Sequence, residues 1–186
     1  MLRSDQADLI LNDQRRAFSG EYVNLLLSAR PSYIEVAARS PLAQLTGVTP
    51  QELKNTPCIL ITAPGQRETE QDYYRTVISM EGTFLYVENL EEARLMVIGR
   101  KGFLPVEGGR AAPAVTSVVR IPLMRDGEQI LKNYCAFWKK SNANPAAAEF
   151  ADILRGEFTK SEQLEKHRET NKRQAPCCLL RRQFPL

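Results

Sequence analysis

Short apolar runs recur along the chain between polar segments, and their periodicity switches between the two-residue repeat of strands and the three-to-four-residue repeat of helices. The first, Asp8-Leu9-Ile10-Leu11-Asn12-Asp13, is closed by turn formers and predicts a strand buried on both faces, as parallel sheets require. After a polar stretch, Tyr33-Ile34-Glu35-Val36-Ala37-Ala38 predicts a second strand. It stops at Arg39-Ser40-Pro41, because proline cannot donate to a strand ladder.

The middle of the chain alternates regularly. Thr49-Pro50-Gln51-Glu52 is a capping-box pattern with proline at the first helical position, and predicts a short helix. Cys58 to Thr62 reads as a strand, Ala63-Pro64-Gly65 as a turn, and the segment from Arg67 to Ser79, with Tyr74, Val77 and Ile78 at helical spacing, as a helix. Thr83 to Val87 is again β-rich. Asn89 followed by Glu92 opens another helix through Leu90, Ala93 and Val97, which Gly99 and Gly102 stop. Phe103 to Val106 resumes extended structure, so residues 58–106 predict a β-α-β-α-β unit with parallel strands.

Gly108-Gly109 and Ala111-Ala112-Pro113 then mark a loop, Ser117 to Ile121 a strand, and Leu131 to Trp138 an aromatic-rich strand. Asn144-Pro145 starts an amphipathic helix in which Ala147, Phe150, Ala151, Leu154 and Phe158 recur at three and four residues. From Lys160 the composition turns polar, which predicts a frayed or disordered tail containing Cys177 and Cys178.

Composition narrows the function classes. The chain has 186 residues, 43% hydrophobic and 25% charged, which suits one domain or one two-lobed domain with an ordinary core. The net charge is +3, but Arg155 onward holds eight Lys and Arg against four Glu. The positive excess therefore belongs to the tail and gives the body no nucleic-acid-binding face. Four cysteines, two of them inside apolar runs, form neither a disulfide framework nor a zinc spacing. No segment resembles a secretory signal or a membrane span, so a cytoplasmic protein with no membrane association is expected. The single histidine, His167, lies in the polar tail, no phosphate-cradling loop is present, and Glu91-Glu92 reads as the acidic first turn of a helix. No catalytic residue, metal site or cofactor is expected.

What an α/β sheet does favour is ligand binding beyond the carboxyl ends of its strands, where following helix starts point backbone N–H groups into a crevice. That singles out Asn12-Asp13 and Thr62-Ala63-Pro64-Gly65, with Phe103-Leu104 as an apolar wall.

Several segments resemble, in order, the effector-binding domain of LysR-type transcription regulators. Ala7-Asp8-Leu9-Ile10-Leu11 is similar to that family's D-L-A-L strand, Arg39-Ser40-Pro41-Leu42-Ala43 to its H-P-L-A turn, and Thr49 to Ile61 to its segment ending P-x-I-L. Val87 to Val97, running into Gly99-Arg100-Lys101-Gly102-Phe103-Leu104-Pro105, resembles its helix and glycine-rich segment. Val118 to Leu123, Phe137 to Lys140 and Asn144 to Phe150 resemble its closing strands and last helix. The likeness spans roughly residues 7–155.

The resemblance implies an α/β, periplasmic-binding-protein-like fold of two lobes closing on a small-molecule effector. Residues 1–38 would form a partial first lobe, 39–115 the second lobe, 116–158 the return to the first, and 159–186 the tail. Carried over by position, Asn12, Thr62, Ala63 and Phe103 would contact the effector, so Thr62→Ala and Phe103→Ala are expected to weaken its binding while leaving the fold largely intact. The family's helix-turn-helix and the opening strand-helix-strand of its effector domain have no counterpart here, which reads as an N-terminal truncation. DNA would then be reached only through a helix-turn-helix outside this chain, and an intact LysR-type homologue or a second copy is an implied partner. Arg39 stands where the family usually has histidine, and Lys101 where it has a small residue. A free-standing small-molecule-binding or interaction module, without transcriptional activity, remains the alternative. An enzyme on the same scaffold is a third reading, one that fold alone does not decide.

Overall fold

The structure, a computed structural model, describes residues 2, 6–15, 18–108, 116–142 and 144–174, of which 161–174 are described as backbone alone. In chain order the elements are β1 (Ile10–Asp13), β2 (Tyr22–Ala37), β3 (Cys58–Ile61), α1 (Arg67–Thr76), β4 (Phe84–Val87), α2 (Leu90–Ile98), β5 (Leu104–Glu107), β6 (Val118–Pro122), β7 (Met124–Arg125), β8 (Glu128–Gln129), β9 (Leu131–Lys139) and α3 (Pro145–Gln174). Short 3-10 turns occupy Pro41–Gln44 and Pro64–Gln66.

The spine is β2, which is 16 residues long and so spans roughly 50 Å. The expected strand at Tyr33 is only its last third. The stretch before it carries Leu25-Leu26-Leu27 and continues the same strand. From Tyr22 to Pro31, β2 pairs antiparallel with β9, with a bulge between Leu26 and Ser28. Beyond Ser32 it pairs with β5 and β6 instead. One strand thus passes from one lobe into the other, and the return path from β6 through the β7–β8 hairpin to β9 lies antiparallel to it.

β1 departs from its prediction. It pairs antiparallel with β9, Ile10 opposite Phe137 through Asp13 opposite Tyr134, at the edge of the sheet. Among the described residues no strand lies on its other side. Only Asp13 is buried, while Leu11 is 47% exposed. An apolar run this short does not distinguish an edge from a central strand, since both tolerate Leu and Ile.

The central unit forms largely as its periodicity predicts. β3 and β4 are parallel, Cys58 opposite Phe84 through Ile61 opposite Val87. The third strand joins them only at its start: Phe103 bridges Cys58 in parallel, and Ile59 N donates to Phe103 O at 2.8 Å. β5 then runs antiparallel to β2. This close approach requires Gly102, where a Cβ would lie 2.2 Å from the Pro57 carbonyl oxygen. Half of the capping box at Thr49 is made, with Thr49 N donating to Glu52 Oε2 at 2.7 Å, while the Thr49 hydroxyl donates to the same oxygen at 2.8 Å instead of accepting from Glu52 N. It closes a turn rather than the expected helix, held by i to i+3 bonds such as Leu53 N to Pro50 O. Asn89 caps α2, its Oδ1 accepting from Glu92 N at 2.8 Å.

Alternation along β3 divides the second lobe's interior into two layers. Cys58 and Leu60 face a core with Ile34, Val36, Leu53, Tyr73, Phe84, Phe103, Ile121 and Leu123. Ile59 faces a smaller core with Val87, Leu104 and Val118, covered by Ala93 and Val97 of α2. Core packing draws β6 and the last third of β2 into this lobe. The first lobe's core is thinner, with Leu27, Ala136 and Ala151 joined by Leu25, Trp138, Leu154 and Phe158.

α3 presents Ala147, Ala151, Leu154 and Phe158 to β2 and β9, with Asn144 Oδ1 accepting from Ala146 N at its start, whereas Phe150, expected on the same face, is 51% exposed. Its backbone stays helical through Gln174, where polar composition predicted fraying. Glu, Lys, Gln and Arg are good helix formers, and no Gly or Pro follows Gly156 in that span. Residues 175–186, with Cys177 and Cys178, lie outside the described residues.

Candidate functional site

Where β2 crosses between the lobes, a cavity of about 320 Å³ opens beside it. The first lobe supplies Gln14 and Arg15, which follow β1, together with Leu131, Lys132 and Asn133 of β9. α1 and the turn after it supply Tyr73, Val77 and Ile78, and the hairpin supplies Arg125. The sequence places these groups by simple periodicities. Glu70 and Tyr73 are three residues apart and share one face of α1. Lys132 and Tyr134 are two apart and share one face of β9, with Asp13 directly across from Tyr134.

Charge dominates the wall between the lobes. Arg15 Nε donates to Asp13 Oδ1 at 2.7 Å, and its Nη2 reaches Glu70 Oε1 of α1 at 2.7 Å. The guanidinium also lies 4.9 Å from the centre of the Tyr73 ring, within cation–π range. Lys132 Nζ stands 2.8 Å from Glu107 Oε1 at the end of β5 and 3.1 Å from Asp13 Oδ2. Tyr134 donates its hydroxyl proton to Glu107 Oε2. One connected network therefore joins β1 and β9 of the first lobe to α1 and β5 of the second.

Burial alone would push the Asp13 carboxyl up, but the Arg15 hydrogen bond and the Lys132 charge outweigh it and hold Asp13 below its ordinary value. Burial likewise disfavours the Lys132 ammonium, yet Glu107 and Asp13 hold its pKa above the ordinary lysine value. Tyr134 is pushed up to about 12 by burial and by its bond to Glu107. Asp13 and Lys132 keep their charges, and Tyr134 its proton, through neutral pH. They are equipped to hold and orient a charged or polar ligand, not to exchange protons with one.

A second ion cluster lies within the second lobe. Glu35 is fully buried, and its carboxylate accepts from Arg94 Nε at 2.9 Å, Arg94 Nη2 at 3.0 Å and Arg120 Nε at 3.0 Å. It ties β2 to α2 and β6.

The residues singled out in the sequence fall in different places. Asn12 is exposed on β1, its Oδ1 accepting from Asp13 N at 2.9 Å. Thr62 follows β3, is 6% exposed, and turns its Oγ1 to the Ala63 carbonyl at 3.3 Å. Ala63 is exposed at the start of the following 3-10 turn. Phe103 is 1% exposed and packed in the second lobe's main core. The wall expected of it is interior packing, because its backbone is pinned between Pro57 and Ile59. None of the four lines the 320 Å³ cavity. Sequence reasoning passed over Arg15, Tyr73, Glu107 and Lys132. The available signal was Lys132, a charge inside a strand otherwise rich in aromatic and apolar residues, where a buried partner has to be supplied.

The chain is thus a mixed α/β fold of two lobes sharing a crossing strand, with a cavity at the crossing. No protein-family model matches the chain, and no curated protein matches it. Solved structures do. The regulatory domain of MetR, a LysR-family regulator from N. meningitidis, superposes with a TM-score of 0.64 at 15% identity, over 86% of this chain and 74% of that one. The effector-binding domain of a BenM variant gives 0.62 at 15% identity, over 87% and 76%. The reduced OxyR regulatory domain from Pseudomonas aeruginosa gives 0.55 at 18% identity, over 83% and 75%. The chain has the fold of LysR-family regulatory domains. Among the described residues, no helix is long and apolar enough to cross a membrane, and no cluster of His, Cys, Asp and Glu could hold a metal ion.

Proposed function

We propose that this chain is the effector-sensing portion of a LysR-type transcription regulator and that it binds a small-molecule inducer in the cleft between its lobes. The observation that carries the reading is the cavity at the crossing of β2, walled by Arg15 and Lys132 from one lobe and by Tyr73 and Ile78 from the other. A ligand there touches both lobes at once, so its binding energy depends on their mutual position, which is what a sensor requires. Asn12, Thr62 and Ala63, at the carboxyl ends of β1 and β3, are proposed as outer contacts reached as the lobes adjust. Transmission would run to an intact LysR-type partner or a second copy, with DNA contacted by a helix-turn-helix outside these residues.

The test is a thermal-shift screen of small organic acids, sugars and amino acids, followed by amide chemical-shift mapping of the best hit. At a hundredfold excess over Kd a ligand stabilises by about 2.7 kcal/mol, a rise of roughly 5–10 °C for a chain of this size. The amides of Tyr73, Ile78, Lys132 and Asn133 should shift together. A stabilising ligand that shifts none of them would remove the cleft assignment.

A further inference from the structure

Two of the cavity's cations, Arg15 and Lys132, already hold carboxylates, and each takes one of them, Glu70 and Glu107, from the other lobe. Arg15 follows β1 in the first lobe and is oriented there by Asp13 at 2.7 Å, on its own side. Its remaining ion-pair partner, Glu70, belongs to α1 in the second lobe and reaches Nη2 at 2.7 Å. Both side chains of that pair keep about a quarter of their surface in water, 26% and 24%. It is therefore a screened contact of the weak kind, open to exchange. Beside it lies unfilled volume, bordered by the Tyr73 ring and by Ile78 and Ile130, with Arg125 and Lys132 as further cations. No carboxylate lines that cavity.

Building on the effector-sensing reading, we propose that Glu70 holds the place of a ligand's anionic group on Arg15, so that the cleft takes a small carboxylate with an apolar or aromatic body. The ligand carboxylate and the Glu70 carboxylate compete for one guanidinium, while the ligand's body covers Tyr73 and Ile78. When the ligand wins, the direct ion pair between α1 and the first lobe is exchanged for one between ligand and first lobe. The other cross-links, through Lys132 and Glu107, stay in place. The exchange leaves the number of charges facing Arg15 unchanged, which a neutral ligand does not do.

The exchange is tested with phenylacetate and its neutral isostere phenylacetamide, titrated calorimetrically against the wild-type chain, E70Q and R15Q, with melting temperatures confirming that the variants fold. Removing the internal competitor should tighten phenylacetate binding about two- to fivefold in E70Q, leave phenylacetamide unchanged, and lose phenylacetate binding in R15Q. Equal affinity of wild type and E70Q for phenylacetate, with binding still dependent on Arg15, would overturn the competition while leaving the cleft as a ligand site. Binding of phenylacetamide but not phenylacetate would overturn the carboxylate assignment alone. Failure of E70Q to bind either compound would overturn the proposal. The effector-sensing reading would then stand or fall on its own screen.

Discussion

Glu35 and Asp13 are both buried carboxylates set between two cations at hydrogen-bond or ion-pair distance, yet they stand in different surroundings. Around Glu35 the three elements it ties together also share apolar cores: Ile34 and Val36 of β2, Ala93 and Val97 of α2, and Val118 and Ile121 of β6 are all buried. Around Asp13 the connected elements come from both lobes, and a cavity of about 320 Å³ lies alongside. The same chemistry therefore fastens a finished core in one place and borders an unfilled cleft in the other. Packing density, rather than the number of ion pairs, separates a structural cluster from one free to change partners.

The packed side should break hardest. Phe103→Ala removes a side chain 1% exposed from the second lobe's core, and is expected to lower stability by about 3–5 kcal/mol, read as a shift of the urea midpoint. A change below about 1 kcal/mol would mean that this core relaxes around the loss and is not the rigid half of the comparison. Arg94→Ala comes next. It strips two of the hydrogen bonds from a fully buried carboxylate and should cost about 3 kcal/mol, as removal of one partner from a buried pair does. Arg15→Ala, on the cleft side, should cost less, because its partner Glu70 keeps about a quarter of its surface in water and is rehydrated when the guanidinium is lost.

These effects track how much of the molecule could be read from its amino acids. The β3–α1–β4–α2 unit was legible because its periods, the Asn89 cap and the glycines at 99 and 102 all agree. The strand character of Leu25-Leu26-Leu27 was not, since neighbouring polar residues hid a strand that exists because β9 pairs along its length. Nor was the antiparallel pairing of β1 with β9, whose partners lie more than a hundred residues apart. The cleft was the least legible part. Carboxyl ends of strands located Asn12, Thr62 and Ala63, but Arg15, Tyr73 and Lys132 come together only through that long-range pairing. Phe103 followed an apolar pattern that does not say which apolar residues meet solvent.

Acid should separate the two clusters less sharply, because both carboxyls are held below their ordinary values against the opposing effect of burial. A carboxyl whose folded pKa is depressed contributes stability that is present above its unfolded pKa, near 4, and is lost as pH falls through the folded one. Stability of the wild-type chain should therefore be level above about pH 5 and decline below it. Asp13→Asn should flatten part of that decline while leaving the part that Glu35 supplies. An unchanged acid slope in Asp13→Asn would show that Asp13 is not held ionised by Arg15 and Lys132.

The smallest effect is the most discriminating. A double-mutant cycle on Arg15 and Glu70, using R15Q, E70Q and the double variant, should give a coupling of about 0.2–1 kcal/mol, the range for pairs that remain partly in water. The corresponding cycle on Arg94 and Glu35 should give several times more, because Glu35 has no access to water and cannot recover its lost partner by hydration. If the two couplings were equal, the pair across the cleft would be as fixed as the pair inside the lobe, and no ligand of millimolar affinity could displace Glu70. A weak coupling across the cleft beside a strong one within the lobe is the condition under which a small anion can rearrange one part of this fold and leave the rest intact.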